Sequence, residues 1–358
     1  MTLKGKTLII ENSNMALQIL NPSEHPDWDA QLLRSDDHSF FHTSLWARVL
    51  EATYGFKPLY FVLQEGGRFS LMMPMMEVYG PLKGKRGVAL PFTDRCAPLF
   101  QEPESVKAAV QCAIDFGKTS NWRSIDWRDD RYGYEGTRTW ETYLIHEIGL
   151  GKTEEDHFKS LGGNNRRNIH KALRDGVTVR IEQSAGSLNS FYRLNCVTRK
   201  RHGLPPQPFI FFKNVFEHIL SRDHGLVFSA YHAGKVIAAA VFFHFGTEAL
   251  FKYGASEMDH QGLRPNNLIM WEALKWYNSR GFGSLNLGRT ELDNPGLLRY
   301  KRSWGATERT LSYFRYDVKK TAYLKRRPGR RDLYRRLFAR TPSSLLRIIG
   351  RMLYKHVG

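Results

Sequence analysis

Residues Asn286–Gly305 read NLGRTELDNPGLLRYKRSWG. The segment begins at the end of an apolar run that predicts a buried strand, and Gly288 predicts a turn directly after that strand. Arg289 and Lys301 then fall in a loop and a short helix, which close on Trp304. We interpret this order as the end of an α/β unit. Two cations and an aromatic ring at a strand end indicate a site for an anionic or carbonyl-bearing substrate.

The residues before this segment predict alternating helices and strands. Amphipathic spacing of apolar residues predicts helices over residues 185–201, 209–221 and 267–280. Runs rich in β-branched and aromatic residues predict strands over residues 225–232, 235–245, 248–256, 284–287 and 310–316. The last of these helices is expected to be capped by Asn266 or Asn267.

The first half of the chain predicts the same order. Its expected helices cover residues 44–53 and 104–118. Its expected strands cover residues 58–64, 69–76, 86–90, 123–127 and 139–147. We interpret the shared order as two copies of one α/β unit, with predicted domains at residues 1–150 and 151–317. Between them, Thr153 and Asp156 predict a capped helix start.

Length and composition agree with a two-domain globular protein. The 358 residues are 42% hydrophobic and 25% charged, which is ordinary and allows sizeable cores. The N-terminal residues lack the apolar region of a secretory signal, and no window is apolar over the length needed to span a bilayer. Cys96, Cys112 and Cys196 form no CxxC pair, which favours reduced buried thiols over disulfides or a zinc site. These features predict a cytoplasmic protein that holds no metal.

The C-terminal residues 318–358 form a basic tail. From Asp317 onward there are 13 Lys and Arg residues and two Asp residues, so this segment carries +11 of the formal net charge of +18. Pro328 and Gly329 divide the tail into expected helices over residues 331–340 and 343–355. One face of the second helix carries Leu345, Leu346, Ile348, Ile349, Met352 and Leu353. The opposite face carries Arg347, Arg351 and Lys355.

This amphipathic and basic pattern is typical of a helix that lies on a membrane surface. It favours an anionic membrane surface as a partner of the tail, at the inner face of the membrane. Two alternatives remain open. The helix docks on the core of the protein itself, or the tail binds nucleic acid.

An ordered series of motifs runs through the chain. In the first half the motifs are Ser44–Trp46, Tyr54–Pro58 and Leu90–Asp94. In the second half they are Asn165–Ala172, Phe191–Tyr192, Thr198–Pro205, His232–Ala238, Tyr253–Ser256 and Gly288–Gly305. This series resembles the FemABX-type aminoacyltransferases and their FemAB-like relatives, and it covers about residues 40–317. The resemblance is stronger to FemAB-like proteins found beside surface-polysaccharide and protein-sorting systems than to enzymes that build peptidoglycan interpeptide bridges.

The resemblance implies an α/β fold of two tandem GNAT-like domains with mixed sheets flanked by helices, followed by the tail. It implies a transferase that moves an acyl or aminoacyl group to an amino group of a cell-envelope or surface-polysaccharide precursor. In such enzymes the donor lies where two central strands separate, and a cation offsets the charge that develops on the carbonyl oxygen. The match of Tyr300–Gly305 to the family motif makes Lys301 the expected stabiliser. Tyr253, on the third strand, is the other expected catalytic residue, and its alternative is a core tyrosine.

The residues around these motifs also indicate substrate-binding positions. Arg289 is expected to clamp a phosphate or a carboxylate with its planar fork. Arg264 and Asn267 lie at a helix start that is expected to hold an anion. The remaining expected contacts are Trp46, Asp94 and Arg167. For each cation the alternative is a solvated surface position, and a phosphorylated or lipid-linked acceptor would suit the basic helix that contains Arg167.

The expected donor is an aminoacyl-tRNA or an acyl-CoA, with no tightly bound cofactor. Acetyl-CoA enzymes of this fold carry a glycine-rich loop, Q/R-x-x-G-x-G/A, before the helix that follows the third strand. Here residues 259–267 read DHQGLRPNN, with a single glycine and without that spacing. The sequence therefore argues against acetyl-CoA, and the basic body of the chain suits tRNA as a partner.

The general base is not singled out by the sequence. The candidates are Asp94, Asp126, Glu291, His170 and His202. The alternative function is a non-catalytic protein that binds nucleic acid or a membrane surface on a degenerate GNAT scaffold. Two changes distinguish these functions. Substitutions in the cleft would abolish the activity of a transferase, and removal of the tail would abolish the salt-sensitive binding of a non-catalytic protein.

Overall fold

The computed structural model of the protein describes residues 6–9, 16–326 and 331–357. The helices are α1 (Trp28–Leu32), α2 (Ser44–Tyr54), α3 (Pro103–Thr119), α4 (Glu154–Ser160), α5 (Gly163–Arg174), α6 (Ala185–Arg201), α7 (Phe209–His218), α8 (Pro265–Ser279), α9 (Pro295–Arg302), α10 (Arg331–Arg340) and α11 (Ser343–Leu353). None of the helices in these ranges is long and apolar enough to cross a membrane.

The strands are short in the first half and longer in the second. They are β1 (Lys6–Ile9), β2 (Ala16–Leu20), β3 (Lys57–Pro58), β4 (Tyr60–Glu65), β5 (Arg68–Met73), β6 (Met76–Gly80), β7 (Gly84–Val88), β8 (Leu99–Phe100), β9 (Trp122–Trp127), β10 (Thr139–Gly149), β11 (Thr178–Glu182), β12 (Gly225–His232), β13 (Lys235–Phe245), β14 (Glu248–Ser256), β15 (Ser284–Glu291), β16 (Thr307–Asp317) and β17 (Ala322–Tyr323).

The chain divides into two compact units. The first comprises Met1–Tyr143, Thr310–Pro328 and Leu353–Gly358, and the second comprises Leu144–Arg309 and Gly329–Met352. This division differs from the predicted boundaries after residues 150 and 317. The physical reason is that β16 pairs antiparallel with β9, so the last long strand adds to the first unit, although it follows the second unit in sequence. The helices of the tail belong to the second unit, except for Leu353 at the end of α11.

The first unit contains two sheets. One is antiparallel, with strand order β1-β2-β4-β5-β8, and the other is mixed, with order β16-β9-β7-β6-β3. The parallel pair of β7 and β9 is joined through α3, whose residues Val106, Ala109, Val110, Ala113 and Ile114 are buried. The predicted hairpin is present, because β4 and β5 pair on either side of Gly66 and Gly67, both at positive φ. Trp122 and Trp127 of β9 are fully buried in the core of this unit.

The second unit is built on a sheet with strand order β11-β12-β13-β14-β15. The first four strands are antiparallel, and β15 joins β14 in parallel. Ala233 and Gly234 both have positive φ, which is the geometry of a tight hairpin turn between β12 and β13. Residues of α8 and α5 form a core with Phe228, Phe242 and Trp304. Helix α6 packs on β13 and β14.

Several local predictions are confirmed and others are wrong. The capped start of α4 is confirmed, since Thr153 Oγ1 accepts a hydrogen bond of 3.1 Å from the backbone N–H of Asp156. The predicted caps of α8 are wrong. Pro265 occupies the first helical position and Arg264, in a left-handed conformation, precedes it without a side-chain cap bond. The sequence patterns did not predict β1, β2, α1, β6, β8, β11 and β17.

Candidate functional site

The central feature of the second unit is a separation between β14 and β15. The two strands pair only at their starts, where Glu248, Ala249 and Leu250 face Ser284, Leu285 and Asn286. Both strands continue beyond the last pair, β14 to Ser256 and β15 to Glu291. The sheet is therefore open between residues 251–256 and 287–291, which is the cleft that the sequence predicts.

Both edges of this cleft are irregular. In β14 the register with β13 shifts between the pairs Val241–Tyr253 and Phe242–Phe251, which leaves Lys252 as the extra residue of a β-bulge. In β15 Gly288 has a φ of +73°, a conformation that residues with a Cβ rarely adopt. The predicted turn at Gly288 is therefore a kink inside a strand. The prediction that the strand ends at residue 287 is wrong, because β15 continues to Glu291 and hydrogen bonds from Asn286 and Lys301 support the kink.

One of these bonds is local. Asn286 Oδ1 accepts a hydrogen bond of 2.7 Å from the backbone N–H of Gly288. An Asn side chain that bonds the backbone two residues later stabilises a turn. The kink lies two residues after Asn286, the last residue of β15 that pairs with β14, so it coincides with the point where the sheet opens.

Lys301 supplies the second support. Its Nζ donates to the carbonyl oxygen of Gly288 at 2.8 Å and to that of Arg289 at 3.0 Å. The residue is only 5% exposed. An ammonium group at this depth costs free energy unless hydrogen-bond acceptors compensate for its lost hydration, and here the two carbonyl groups do so. The structure thus brings Lys301 directly to the kinked edge of the cleft.

Helix α9 positions Lys301. Asn294 caps the helix by accepting a hydrogen bond of 3.2 Å from the backbone N–H of Leu297. Pro295 takes the first helical position, where its missing N–H has no cost. Trp304, just beyond the helix, is 1% exposed and belongs to the hydrophobic core of the unit. The capped start and the buried end hold Lys301 against β15.

Asn267 belongs to a buried amide network at the start of α8. Its Nδ2 donates to Asn165 Oδ1 at 3.0 Å, and Asn165 Nδ2 donates to the backbone oxygen and Oγ of Ser303, both at 2.9 Å. Asn267 is 8% exposed and Asn165 is 3% exposed. The network ties α8 and α5 to the residue that follows α9. Asn267 therefore has a structural role, because it links α8 to α5 and to Ser303. The sequence patterns did not identify Asn165 or Ser303 as members of this network.

Tyr253 lies on the cleft strand β14 but packs among aromatic rings. Its ring centroid is 5.7 Å from that of Phe212, 6.2 Å from Phe191 and 6.3 Å from Phe211. Lys252 Nζ lies 5.4 Å from the centre of the Tyr253 ring. Contacts of this kind orient the phenol through helices α6 and α7.

The three predicted arginines of the second unit lie on different elements. Arg289 is half-buried on β15, where its backbone carbonyl accepts the bond from Lys301. Arg264 is exposed directly before α8. Arg167 is exposed on α5 and donates to the side chain of Asn164. Arg289 is thus the one of the three that a described hydrogen bond links directly to Lys301.

Two predicted residues lie in the first unit. Trp46 is fully buried on α2, with its ring centroid 5.4 Å from that of Phe41 and 6.4 Å from that of Phe40. Asp94 is half-buried in the loop after β7, and its backbone carbonyl accepts a hydrogen bond from the hydroxyl of Tyr313. Trp46 is a core residue of its unit, and we assign neither residue to the cleft.

His146 is a residue near the cleft that the sequence patterns missed. Its side chain is fully buried on β10, and Nε2 lies 3.5 Å from Glu308 Oε2. Burial lowers the pKa of His146, the nearby charge of Lys301 lowers it further, and Glu308 opposes these effects. His146 is therefore a neutral imidazole beside Lys301 at neutral pH.

Glu308 is itself held in place. Arg302 binds it with two hydrogen bonds, from Nη2 to Oε1 at 2.7 Å and from Nε to Oε2 at 2.8 Å. The guanidinium thereby orients the carboxylate towards His146. No pattern along the chain connects these residues, because His146 lies on a strand far from Arg302 and Glu308 in sequence.

The sequence candidates for a general base are separated by the fold. Asp126 is buried in the first unit, where Arg315 Nη2 donates to it at 2.8 Å and Arg86 Nη1 lies 3.9 Å away. It is a structural ion-pair residue of that unit. Glu291 ends the cleft strand β15 and is half-buried, so among these candidates it lies nearest in sequence to the kink.

Comparison with known proteins supports the same part of the chain. The family described as Acetyltransferase (GNAT) domain matches residues 160–302. Over 126 residues the chain is 24% identical to the UDP-N-acetylmuramoylpentapeptide-lysine N(6)-alanyltransferase of Weissella viridescens. This alignment covers 35% of the present chain and 37% of the relative, so the chain matches little more than a third of that enzyme.

Solved structures extend the likeness to most of the fold. The crystal structure of FemX superposes with a TM-score of 0.66 at 13% identity, over 82% of this chain and 96% of FemX. A tandem GNAT protein from the clavulanic acid biosynthesis pathway superposes with a TM-score of 0.53 at 9% identity, over 88% and 98% of the two chains. The predicted α/β fold of tandem GNAT-like domains is thus confirmed. These likenesses support the resemblance to the FemAB-like family that the ordered motifs indicate.

Proposed function

We propose that this protein is a FemAB-like acyl- or aminoacyltransferase that acts on an amino group of a cell-envelope or surface-polysaccharide precursor. The observation that carries the proposal is the buried ammonium group of Lys301, held at the kink of β15 where the central sheet opens. The Weissella viridescens relative, by its name, transfers alanine to the lysine N6 of UDP-N-acetylmuramoylpentapeptide. A primary amine of a precursor is therefore the proposed acceptor class.

The proposed reaction is a single acyl transfer. The acceptor amine attacks the carbonyl carbon of the donor, a C–N bond forms, and negative charge develops on the carbonyl oxygen. The bond from that carbon to the leaving oxygen or sulfur then breaks, and the proton lost by the amine passes to the leaving group. Lys301 offsets the charge of the intermediate, an effect worth about 10²–10³ in rate for one donor group.

The other residues of the cleft are assigned supporting roles. Arg289 is proposed to bind a phosphate or carboxylate of the substrate, since its carbonyl fixes it beside Lys301. Tyr253 is proposed to line the donor channel from β14. Arg264 and Arg167 are proposed to attract anionic groups at the ends of α8 and α5, while Asn267 holds those helices in register.

The proposed donor is an aminoacyl-tRNA or an acyl-CoA, bound as a cosubstrate. Arg264, in a left-handed conformation before α8, stands where acetyl-CoA enzymes carry their glycine-rich loop. This local structure and the net charge of +18 support the tRNA-linked donor, because a polyanion gains most from a basic surface. A phosphorylated or lipid-linked acceptor would place the reaction at the cytoplasmic, inner face of a membrane.

The experiment is a transfer assay with defined substrates. Alanyl-tRNA and acetyl-CoA are each incubated with UDP-N-acetylmuramoylpentapeptide and the protein, and the acceptor is analysed by mass spectrometry for the added acyl group. Product is expected with alanyl-tRNA. Thermal stabilisation by acyl-CoA, tRNA and nucleotide-linked precursors identifies the bound classes independently of turnover. A protein that neither binds nor modifies any of these would contradict the proposal.

Lys301→Met tests the role of the ammonium group. Methionine keeps most of the buried volume but cannot donate to the carbonyl oxygens of Gly288 and Arg289, so thermal denaturation is measured beside transfer, which is expected to fall by about 10²–10³. Arg299→Met is the matched control, because Arg299 is an exposed cation on the same helix. Equal activity of the two variants would remove Lys301 from the mechanism.

A further inference from the structure

Helix α11 carries its large apolar side chains on the outside of the second unit. Ile348 is 57% exposed, Met352 is 62% exposed and Leu345 is 47% exposed. A helix that packs on a protein for stability alone buries its apolar stripe. An apolar stripe that is exposed to solvent marks a site of contact with another protein or with a membrane.

The exposure of this stripe is not a sign of loose attachment. Leu346 is 1% exposed, and a Cβ added to Gly350 would lie 2.0 Å from the carbonyl oxygen of Pro206. The backbone of α11 therefore rests directly on the body of the unit. Helix α10 is seated as closely, because a Cβ on Gly203 would lie 2.1 Å from the carbonyl oxygen of Arg335.

The two faces of α11 are nearly opposite. At about 100° per residue, Leu346 and Gly350 are separated by about 40° and define the docked side. On the same scale, Ile348 lies about 180° and Met352 about 140° from the middle of that side. The tight packing on Pro206 thus turns the apolar stripe away from the protein.

Cations accompany the stripe. Helices α10 and α11 expose Arg335, Arg336, Arg340, Arg347 and Arg351. No acidic residue in the described ranges forms an ion pair with any of these arginines. Helix α10 adds two exposed apolar side chains, Tyr334 at 58% and Leu337 at 61%. The surface of α10 and α11 therefore combines uncompensated positive charge with apolar side chains that are exposed to solvent.

We propose that α10 and α11 together dock on an anionic lipid bilayer. The apolar side chains of Leu337, Ile348 and Met352 enter the boundary between headgroups and acyl chains, and the arginines contact lipid phosphates. The charge alone would suit RNA equally well. The apolar stripe favours the bilayer, because burial of aliphatic side chains contributes nothing to binding of a phosphate backbone. This inference goes beyond the proposed transfer reaction, since it uses no residue of the cleft.

The test is sedimentation of the full-length protein with vesicles. Binding is expected to vesicles of phosphatidylglycerol and phosphatidylcholine, and not to vesicles of phosphatidylcholine alone. The double variant Ile348→Asp, Met352→Asp is expected to bind the anionic vesicles about tenfold more weakly or worse. Each of Arg347→Gln and Arg351→Gln is expected to weaken binding about fivefold.

Leu82→Asp is the control for the apolar variants, because Leu82 is 92% exposed in the first unit. It is expected to bind like the unmodified protein. The proposal is overturned if the double variant binds anionic vesicles as well as this control, or if the protein binds bulk tRNA and no vesicles. The double variant is also assayed for transfer to a soluble acceptor. Retained transfer with lost vesicle binding separates this inference from the proposed function.

Discussion

Lys301 Nζ lies 2.8 Å from the carbonyl oxygen of Gly288, so the cation that we propose for catalysis also supports the kink at the point where the sheet opens. The two residues are on different elements, α9 and β15. Their contact means that the charge in the cleft and the shape of the cleft depend on each other. A substitution at either residue is therefore expected to affect transfer.

Gly288→Ala tests the kink. A Cβ at a φ of +73° is strained, and the substitution is expected to cost about 1–2 kcal/mol of unfolding free energy. Relaxation of the strand would also move the carbonyl groups that bind Lys301, so transfer should fall further than stability alone explains. Thermal denaturation and the transfer assay measure the two effects. Gly186→Ala, on α6, has ordinary contacts for the new Cβ and should change neither.

His146→Gln tests the neutral imidazole beside Lys301. The groups that face His146 are Lys301, Glu308 and Arg302. Because its pKa is lowered, His146 is neutral at neutral pH and gains a proton only in acid, where the new charge repels Lys301. We expect the pH–rate profile of the unmodified protein to fall on the acid side, and the glutamine variant to lose this limb while KM changes little.

The control for this prediction is His157→Gln. The pKa of His157 is also lowered by burial, but its Nε2 lies 3.3 Å from Asn278 Oδ1, on the far end of α8 from the cleft. The acid limb should therefore persist in His157→Gln. An unchanged limb in His146→Gln would show that the imidazole does not act through Lys301.

His42 predicts a pH dependence of stability in the first unit. Burial lowers its pKa from 6.5 to about 4, although the hydrogen bond of Nε2 to the carbonyl oxygen of Ala97 opposes the shift. Because the folded state favours the neutral form of His42, the contribution of this residue to the free energy of unfolding is complete above pH 6.5. It is lost as the pH falls from 6.5 to about 4. The loss amounts to about 3 kcal/mol. Denaturation followed across this range should show a shallower pH dependence in His42→Gln.

Gly350→Ala tests the seating of α11. The added Cβ would meet the carbonyl oxygen of Pro206 at 2.0 Å, and neither backbone can yield without lifting the helix. We expect trypsin to cleave the folded variant after Arg347 and Arg351 faster than it cleaves the unmodified protein. Mass spectrometry of the fragments measures the two rates. Gly149→Ala has no atom within 4 Å of the new Cβ and provides the control. Equal cleavage rates would show that α11 does not depend on this contact.

The repeating patterns of the chain predicted most of the fold. The strands at residues 225–232, 235–245 and 248–256 and the helix at 185–201 match the structure in both bounds, because their apolar spacing is regular and turn residues flank them. Short elements such as β6 and β11 were missed. They are held by their neighbours in the sheet, and too few residues lie in each to show a period.

Part of the geometry of the candidate site was predicted from the sequence. The motif ending at Trp304 located Lys301 and Arg289, and the structure places the two at one strand edge. The patterns did not predict that Asn267 is bonded to Asn165 or that His146 lies beside Glu308. Those pairs join residues more than a hundred positions apart. The periodicity of one segment carries no information about which distant segment it contacts.

The amino-acid sequence by itself determined the order of helices and strands, the family resemblance and the excess of positive charge in the tail. These follow from local spacing and composition. Only the tertiary structure decided that Gly288 is a kink inside a strand, that Lys301 supports it, and that α11 turns its apolar stripe to solvent. These features depend on contacts with backbone carbonyl groups that are distant in sequence. Lys301 contacts the carbonyl group of Gly288, and Gly350 contacts that of Pro206. Packing of the whole unit, rather than any local pattern, sets those positions.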